Sequence, residues 1–274
     1  MDASLREPIE KVEWAKAHLN SFREASKVFF EAHPDLVNRE CKSDGSKTYS
    51  FRGVSLPIRL SLRIGDVISN LRSSLDYLVW QLVLANGETP SGRNEFPIYE
   101  NELSVIGKRG CYRKDGLRKL RGVSPTNQTI IERLQPYNGG KANLFLASLN
   151  TLRNEDIHRS LTLTVVKSTG SAFVGTYKGE SISDVLGREL ASKCYYGPLE
   201  YKTVLCTLSG EYMDVNFVPV FSISLRYRDM RDGKPVDSWL PATSFLYDHI
   251  ATVEKVIQLF SLPSLYPTNS YTET

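Results

Sequence analysis

Apolar residues recur every three or four positions over the first third of the chain, a spacing typical of amphipathic helices. This spacing predicts one helix over residues 8–32, ended by His33-Pro34, because a residue before proline is disfavoured in a helix. A second helix is predicted from near Pro57 to Asn86-Gly87, where a glycine typically stops a helix. One continuous apolar stripe follows this second helix through Leu60, Ile64, Val67, Ile68, Leu71, Leu75, Leu78, Val79 and Leu82.

The pattern predicts further helices over residues 125–134, 141–158, 181–192 and 242–259. After residue 160 apolar and polar residues alternate instead, which is the pattern of a strand with one buried face. Strands are predicted over 161–165, 201–208 and 212–227, with a hairpin turn at Asp232-Gly233. Weaker strand patterns lie at 48–56 and 95–99.

The order of these elements predicts an α+β protein. A helical bundle occupies residues 1–160, and an antiparallel β-sheet over 161–240 is inserted before the C-terminal helix, 241–260. Short turns separate the strands, so no parallel crossover is needed. Residues 261–274 are rich in Ser, Thr, Pro and Tyr, and we expect a flexible tail.

Composition narrows the class of protein. A hydrophobic fraction of 41% and a charged fraction of 24% are those of a globular protein, and the net charge of +3 permits an anionic partner. The four cysteines are scattered, without metal-binding spacing, as expected of reduced thiols in the cytoplasm. Charged residues at the N-terminus argue against a signal peptide, and no apolar run is long enough for a membrane. Nucleotide-binding glycine motifs are missing, and we expect no cofactor or metal.

The strongest chemical signal is an arginine and a histidine near the end of the helix predicted over 141–158. Arg153 is a permanent cation that can hold a phosphate, and His158 can exchange protons near neutral pH. Asn154 shares a helix face with His158 and could orient the imidazole. Arg153 and His158 lie about 140° apart around an ideal helix, so they converge only if the arginine reaches round or the helix distorts. The alternative is an ordinary helix end, where cations meet the helix dipole favourably.

The segment Arg153-Asn154-Glu155-Asp156-Ile157-His158 resembles the motif of the HEPN superfamily, an arginine followed four to six residues later by a histidine. Two further stretches are similar to HEPN-like bacterial proteins of unassigned function: residues 70–82, and 134–137 followed by 149–161. The resemblance covers roughly residues 57–161, the expected HEPN-like core of the bundle. The predicted sheet is not part of a minimal HEPN domain.

This resemblance implies a homodimeric, metal-independent endoribonuclease in which two Arg/His motifs face each other and cleavage leaves a 2′,3′-cyclic phosphate. Such proteins belong to toxin or phage-defence systems, with an antitoxin or regulatory partner. Arg153 would stabilise phosphate charge, His158 would be the acid and base, and Arg159 would add a cation. By the same analogy Arg72 and Asp76 could lie near the site; the alternative is an ion pair on an exposed helix face.

A basic segment at residues 108–121 could follow an RNA backbone. Its predicted substrate contacts are Lys108, Arg109, Arg113 and Lys114, with Tyr112 stacking on a base. The alternative is a solvated charged loop. For the whole chain two other functions remain open, a non-catalytic binding or scaffold protein on the same bundle and a sensor whose sheet binds a ligand.

Overall fold

The computed structural model describes residues 5–104, 110–158, 161–167, 171–231 and 234–261. The predicted turn at Asp232-Gly233 and the predicted tail beyond residue 261 lie outside these ranges. Three of the predicted site residues, Lys108, Arg109 and Arg159, also lie outside them.

Helices form where the apolar spacing predicts them. In chain order they are α1 (Arg6–Glu31), α2 (Ile58–Ala85), α3 (Leu117–Lys119), α4 (Pro125–Arg133), α5 (Lys141–His158), α6 (Asp184–Ser192) and α7 (Ala242–Gln258). The Ser124 hydroxyl caps α4 by accepting a hydrogen bond from the Asn127 amide, and Pro125 occupies the first turn. A π-helical turn, Tyr112–Gly116, precedes α3 within the predicted loop region.

The strands are β1 (Val37–Cys41), β2 (Lys47–Phe51), β3 (Leu163–Lys167), β4 (Ala172–Tyr177), β5 (Glu180–Ser181), β6 (Val204–Leu208), β7 (Val215–Val218), β8 (Phe221–Arg231) and β9 (Lys234–Pro241). Within the described ranges they form three antiparallel sheets, in the orders β1-β2-β6, β3-β8-β9 and β5-β4-β7. The antiparallel pairing confirms the α+β class, but the strands form three sheets rather than one.

Two strand predictions are wrong in detail. The long strand predicted over 212–227 is interrupted at Pro219-Val220, because proline has no backbone N–H to donate to a ladder. The stretch at 95–99 forms no strand, although Phe96 is fully buried within it. The sequence pattern does not predict strand β1. This strand pairs with β2, and both lie before α2 in the chain rather than within the predicted insertion over 161–240.

The chain divides into two compact units. The helical unit consists of Met1–Asn20, Ile64–Arg159 and Leu246–Thr274, and the sheet unit consists of Ser21–Arg63 and Ser160–Phe245. The sheet unit therefore contains β1 and β2 in addition to the predicted insertion. Its core includes Phe173 and Phe217, whose ring centroids lie 5.2 Å apart, and Tyr49, 5.5 Å from Phe217.

Within the helical unit, α2 supplies the central buried stripe, and Leu71, Leu75 and Leu78 are completely buried. Helix α1 packs against it, since the buried Ser74 hydroxyl donates to the Pro8 carbonyl at 2.7 Å. Helix α7 contacts α1, where Lys16 pairs with Glu254 at 2.6 Å and with Glu13 at 2.7 Å. None of the described helices combines the length and hydropathy that crossing a bilayer requires.

Candidate functional site

Arg72 and Asp76 form a structural clamp on α2. Their side chains pair at 2.5 Å, and both bind the backbone of Phe96: Arg72 donates to its carbonyl at 2.8 Å, and the Asp76 carboxylate accepts from its amide at 2.8 Å. Burial raises the pKa of Asp76, and the positive charge of Arg72 opposes that rise. These bonds favour a structural role over the predicted contact with substrate, because both side chains are already bound to the chain itself. The ion pair of the alternative interpretation does form, but it is not on an exposed face, since only 12% of the Arg72 side chain and 32% of the Asp76 side chain are accessible.

The predicted base-stacking residue, Tyr112, is completely buried in the π-helical turn. Its hydroxyl donates to the Gln128 carbonyl at 3.3 Å, and its ring packs edge-on against Tyr137 with centroids 6.0 Å apart. Burial raises the pKa of Tyr112, which keeps its hydroxyl protonated. The ring therefore belongs to the core and presents no face to a nucleic acid base.

Most described cations of the basic segment have acidic partners. Arg113 contacts Glu102 at 2.9 Å and Glu132 at 2.6 Å, and these carboxylates raise the pKa of its guanidinium. Arg118 lies 3.5 Å from Asp115, and Lys119 lies 2.7 Å from Glu95. Lys114 is exposed. Paired cations attract phosphate weakly, so this segment offers less positive charge to RNA than its sequence indicates.

The predicted catalytic residues lie on the last two turns of α5. The helix continues regularly to His158, so the distortion that would have brought Arg153 and His158 together does not occur. The two side chains therefore leave the helix about 140° apart. Arg153 is half-buried, whereas Asn154 and His158 are exposed on one shared face. No hydrogen bond joins Asn154 to His158 among the described atoms.

Arg153 lies one helical turn from Asp156, and both side chains are half-buried. The Asp156 carboxyl group packs against Gly65 of α2, with its carboxyl carbon only 2.9 Å from where a Cβ at residue 65 would be. Burial raises the pKa of Asp156; the charge of Arg153 opposes this rise, and that of Asp66 adds to it. In the part of the chain that the structure describes, no carboxylate oxygen lies within 4.0 Å of the Arg153 guanidinium.

A histidine from another helix approaches the same turn of α2. His18 of α1 has its Nδ1 atom 3.5 Å from the Asp66 carboxylate, and its ring centroid lies 6.2 Å from that of Trp14. Trp14 is 60% exposed. No local pattern indicates this arrangement, since His18 and Asp66 are 48 positions apart and match no motif. The only available signal was that both lie on the polar faces of predicted helices.

A second histidine pairing is structural. His249 of α7 and Ser148 of α5 are both buried, with Nε2 and Oγ 2.7 Å apart, and the Phe145 ring packs edge-on against the imidazole. The Ser148 hydroxyl also lies 3.0 Å from the Phe145 carbonyl. A buried serine and histidine satisfied in this way stabilise the contact between α5 and α7 but cannot meet a substrate.

The described residues contain no group of three or more potential protein ligands placed to hold a metal ion. A groove of about 200 Å³ lies between α1 and the end of α7, lined by Ile9, Val12, Glu13, Glu254, Ile257, Gln258 and Ser261. None of the predicted site residues lines it. Comparison of the chain with protein-family models, with curated proteins and with solved structures found no match.

Proposed function

We propose that this protein is a HEPN-like, metal-independent endoribonuclease that acts in the cytoplasm as a homodimer. Its helical unit would be the HEPN-like bundle, and the setting would be a toxin or phage-defence system with an antitoxin or regulatory partner. Arg153 holds the scissile phosphate, and His158 transfers protons. The proposal depends on the chemistry of these side chains and on the resemblance of their motif.

The observation that carries this proposal is that the Arg153 guanidinium has no ion-pair partner among the described residues. Of the other predicted cations that the structure describes, Arg72 and Arg113 contact carboxylates directly and Lys114 is exposed, whereas Arg153 is half-buried and has no carboxylate oxygen within 4.0 Å among the described residues. A half-buried guanidinium without an ion-pair partner retains hydrogen-bond donors for an anion such as phosphate. His158, five residues later and exposed, is accessible to RNA.

These groups can cleave RNA without a metal ion. A base removes the proton from a ribose 2′-hydroxyl, and the oxygen attacks the adjacent phosphorus. The bond from phosphorus to the 5′ oxygen breaks, an acid protonates that oxygen, and the products are a 2′,3′-cyclic phosphate and a 5′-hydroxyl. Arg153 would stabilise the charge that develops on the phosphate oxygens.

The test is cleavage of bulk RNA, with EDTA present, by the wild-type protein and by His158→Ala. We expect the wild type to leave cyclic phosphate ends and the variant to be slower by about 10²–10⁴, the usual contribution of a proton-transfer group. His33→Ala is the matched control, because His33 is bonded to the Phe29 carbonyl at the far end of α1. Equal cleavage by wild type and His158→Ala, or none by either, rejects the proposal.

A second candidate is a non-catalytic binding or scaffold protein built on the same bundle. It is favoured by the regular end of α5, which directs Arg153 and His158 to different sides of the helix. In that case RNA would bind without being cleaved, or not bind at all. Retention of a labelled RNA during gel shift, with no cyclic phosphate product, would select this candidate.

A further inference from the structure

Large apolar side chains are exposed on the side of the helical unit where α1 runs beside α2. On α2, the side chains of Tyr77, Trp80 and Leu84 are between 41% and 47% exposed, and on α1 Trp14 is 60% exposed. Large apolar side chains exposed together mark a binding surface on many proteins. We call these four residues the aromatic face.

Contacts between α1 and α2 place the Trp14 ring beside the α2 part of this face. Lys11 of α1 has its Nζ atom 5.5 Å from the centroid of the Tyr77 ring. Seven residues later on α1, His18 has its Nδ1 atom 3.5 Å from the Asp66 carboxylate. These two contacts fix both ends of the stretch, and Trp14 lies between them on the same side of α1. The Trp14 ring therefore adjoins the part of α2 from Asp66 to Tyr77.

The exposed side of α2 has a half with large side chains and a half with small ones. Its members recur at three- and four-residue spacing and so share one helix face; they are Asp66, Ser69, Ser73, Tyr77, Trp80 and Leu84. The C-terminal half carries the large side chains of the aromatic face. In the other half Ser69 and Ser73 are half-buried, and their short side chains leave the helix surface low. Two such faces that meet antiparallel are complementary, because the large half of each lies over the small half of the other.

We propose that the aromatic face binds a second copy of this chain, with the two α2 helices antiparallel and a two-fold axis near Ser73. In such an isologous interface every contact is made twice. Tyr77 and Trp80 of one copy would lie over Ser69 of the partner subunit, and the two Trp14 rings would meet near the axis. The inference rests on the proposed function only for the homodimer and not for RNA cleavage.

The exposed ring area suits the centre of a stable interface. An aromatic side chain buries about 150–250 Å², so the exposed fractions of the three rings amount to about 300 Å² per chain. A standard interface buries about 800 Å² per partner, with an apolar centre and a polar rim. The rings of the aromatic face supply such a centre, and the serines and the neighbouring charged residues supply the rim.

The charges beside the aromatic face favour a second copy over RNA. Lys11 lies over Tyr77 at one end, and the Asp66 side chain is 56% exposed at the other. The antiparallel arrangement brings Lys11 of each copy toward Asp66 of the partner subunit, so opposite charges meet twice. Glu7 lies one turn before Lys11 and accepts a hydrogen bond from Gln81 at 2.9 Å. Carboxylates on both sides of the lysine disfavour the phosphates of RNA.

The decisive experiment measures mass against protein concentration by analytical ultracentrifugation. We expect the wild type to form a dimer and Trp80→Ala to raise the dissociation constant at least about 30-fold, the usual effect of truncating a tryptophan at the centre of an interface. Tyr247→Ala is the matched control, because Tyr247 is a 66% exposed aromatic residue on α7, outside the aromatic face. We expect its dissociation constant to equal that of the wild type.

Two further sets of variants do not depend on truncating a large side chain. Ser73→Arg places a cation at the axis, against its own copy in the partner, and should give a monomer whose fold circular dichroism confirms. Lys11→Glu and Asp66→Lys should each weaken the dimer about tenfold, because like charges then face each other. The double variant should recover most of the loss, since opposite charges meet again.

The outcomes separate this inference from the ribonuclease. A monomeric wild type overturns the interface, and so does a dimer that Trp80→Ala and Ser73→Arg leave intact. If the wild type is monomeric, a gel shift of single-stranded RNA that Trp80→Ala abolishes assigns the face to nucleic acid instead. A dimer that both variants dissociate supports the interface even where no RNA is cleaved.

Discussion

Two arginine–aspartate pairs in the helical unit have similar spacing and opposite environments. On α2, Arg72 and Asp76 contact each other at 2.5 Å and together bind both polar groups of the Phe96 backbone. On α5, Arg153 and Asp156 influence each other electrostatically without an ion pair within 4.0 Å, and Asp156 packs against Gly65.

The difference shows what makes an arginine available to a ligand. Both pairs join an arginine and an aspartate one helical turn apart, the first within α2 and the second near the end of α5. On α2 a loop returns and supplies the backbone amide and carbonyl of Phe96. Those groups bond to both side chains of the pair, as buried polar groups require. On α5 no such loop contact is found among the described residues: the charge of Arg153 acts on Asp156 without an ion pair within 4.0 Å, so the guanidinium retains donors for an anion.

The largest expected difference between the two pairs is in RNA cleavage. Arg153→Gln should lower the rate by about 10²–10³, the usual loss when one donor to a developing oxyanion is removed. Arg72→Gln should leave the rate per folded molecule unchanged, because Arg72 binds only the chain. Initial rates, normalised to the folded fraction, measure both. A loss in Arg72→Gln as large as that in Arg153→Gln would contradict the distinction.

For the free energy of unfolding we expect the reverse order, with the larger effect at the α2 pair. Asp76→Ala leaves Arg72 and the Phe96 amide without their acceptor, and we expect it to lower the free energy of unfolding by about 2–4 kcal/mol. Asp156→Ala removes a desolvated carboxylate that has no hydrogen bond among the described residues, so its cost should stay below about 1 kcal/mol. Urea denaturation measures both values. Equal losses would show that the α5 pair is structural as well.

The contact between α2 and α5 can be tested at Gly65. An alanine Cβ there would collide with the Asp156 carboxyl group, so Gly65→Ala should lose about 1 kcal/mol despite the better helix propensity of alanine. In an Asp156→Ala background the collision is absent, and the same change should gain up to about 1 kcal/mol. A double-mutant cycle from thermal denaturation gives the coupling; additive effects would show that the two residues do not meet.

The smallest effect is on pH dependence. The pKa values of Asp76 and Asp156 are both raised by burial, so the folded protein binds these protons more tightly than the unfolded chain does. Their contribution to stability is therefore largest below the ordinary carboxyl value of 3.8 and declines as the pH rises through the folded-state pKa. Asp156→Asn should flatten part of that decline, measured by denaturation between about pH 4 and pH 7. A steeper decline in the variant would contradict the assigned direction.

The long helices could be predicted from the sequence because each buries an apolar stripe of the correct period. Strand β1 could not, because Val37–Cys41 has little apolar alternation and is largely exposed; it is held by pairing with β2. At the candidate site, Arg153 and His158 could be predicted because they form a local sequence motif on one helix. The contact of His18 with Asp66 depends on how two helices pack, and no local pattern encodes it.

The position of α7 has a consequence for synthesis. This helix is the last described element of the chain, yet it contacts α1 through Glu254 and α5 through His249. The ribosome releases more than two hundred intervening residues after α1 before α7 emerges. Val12, buried in the folded protein, therefore has an incomplete environment until α7 has been synthesised, and the nascent chain is exposed to aggregation and to chaperones during that interval.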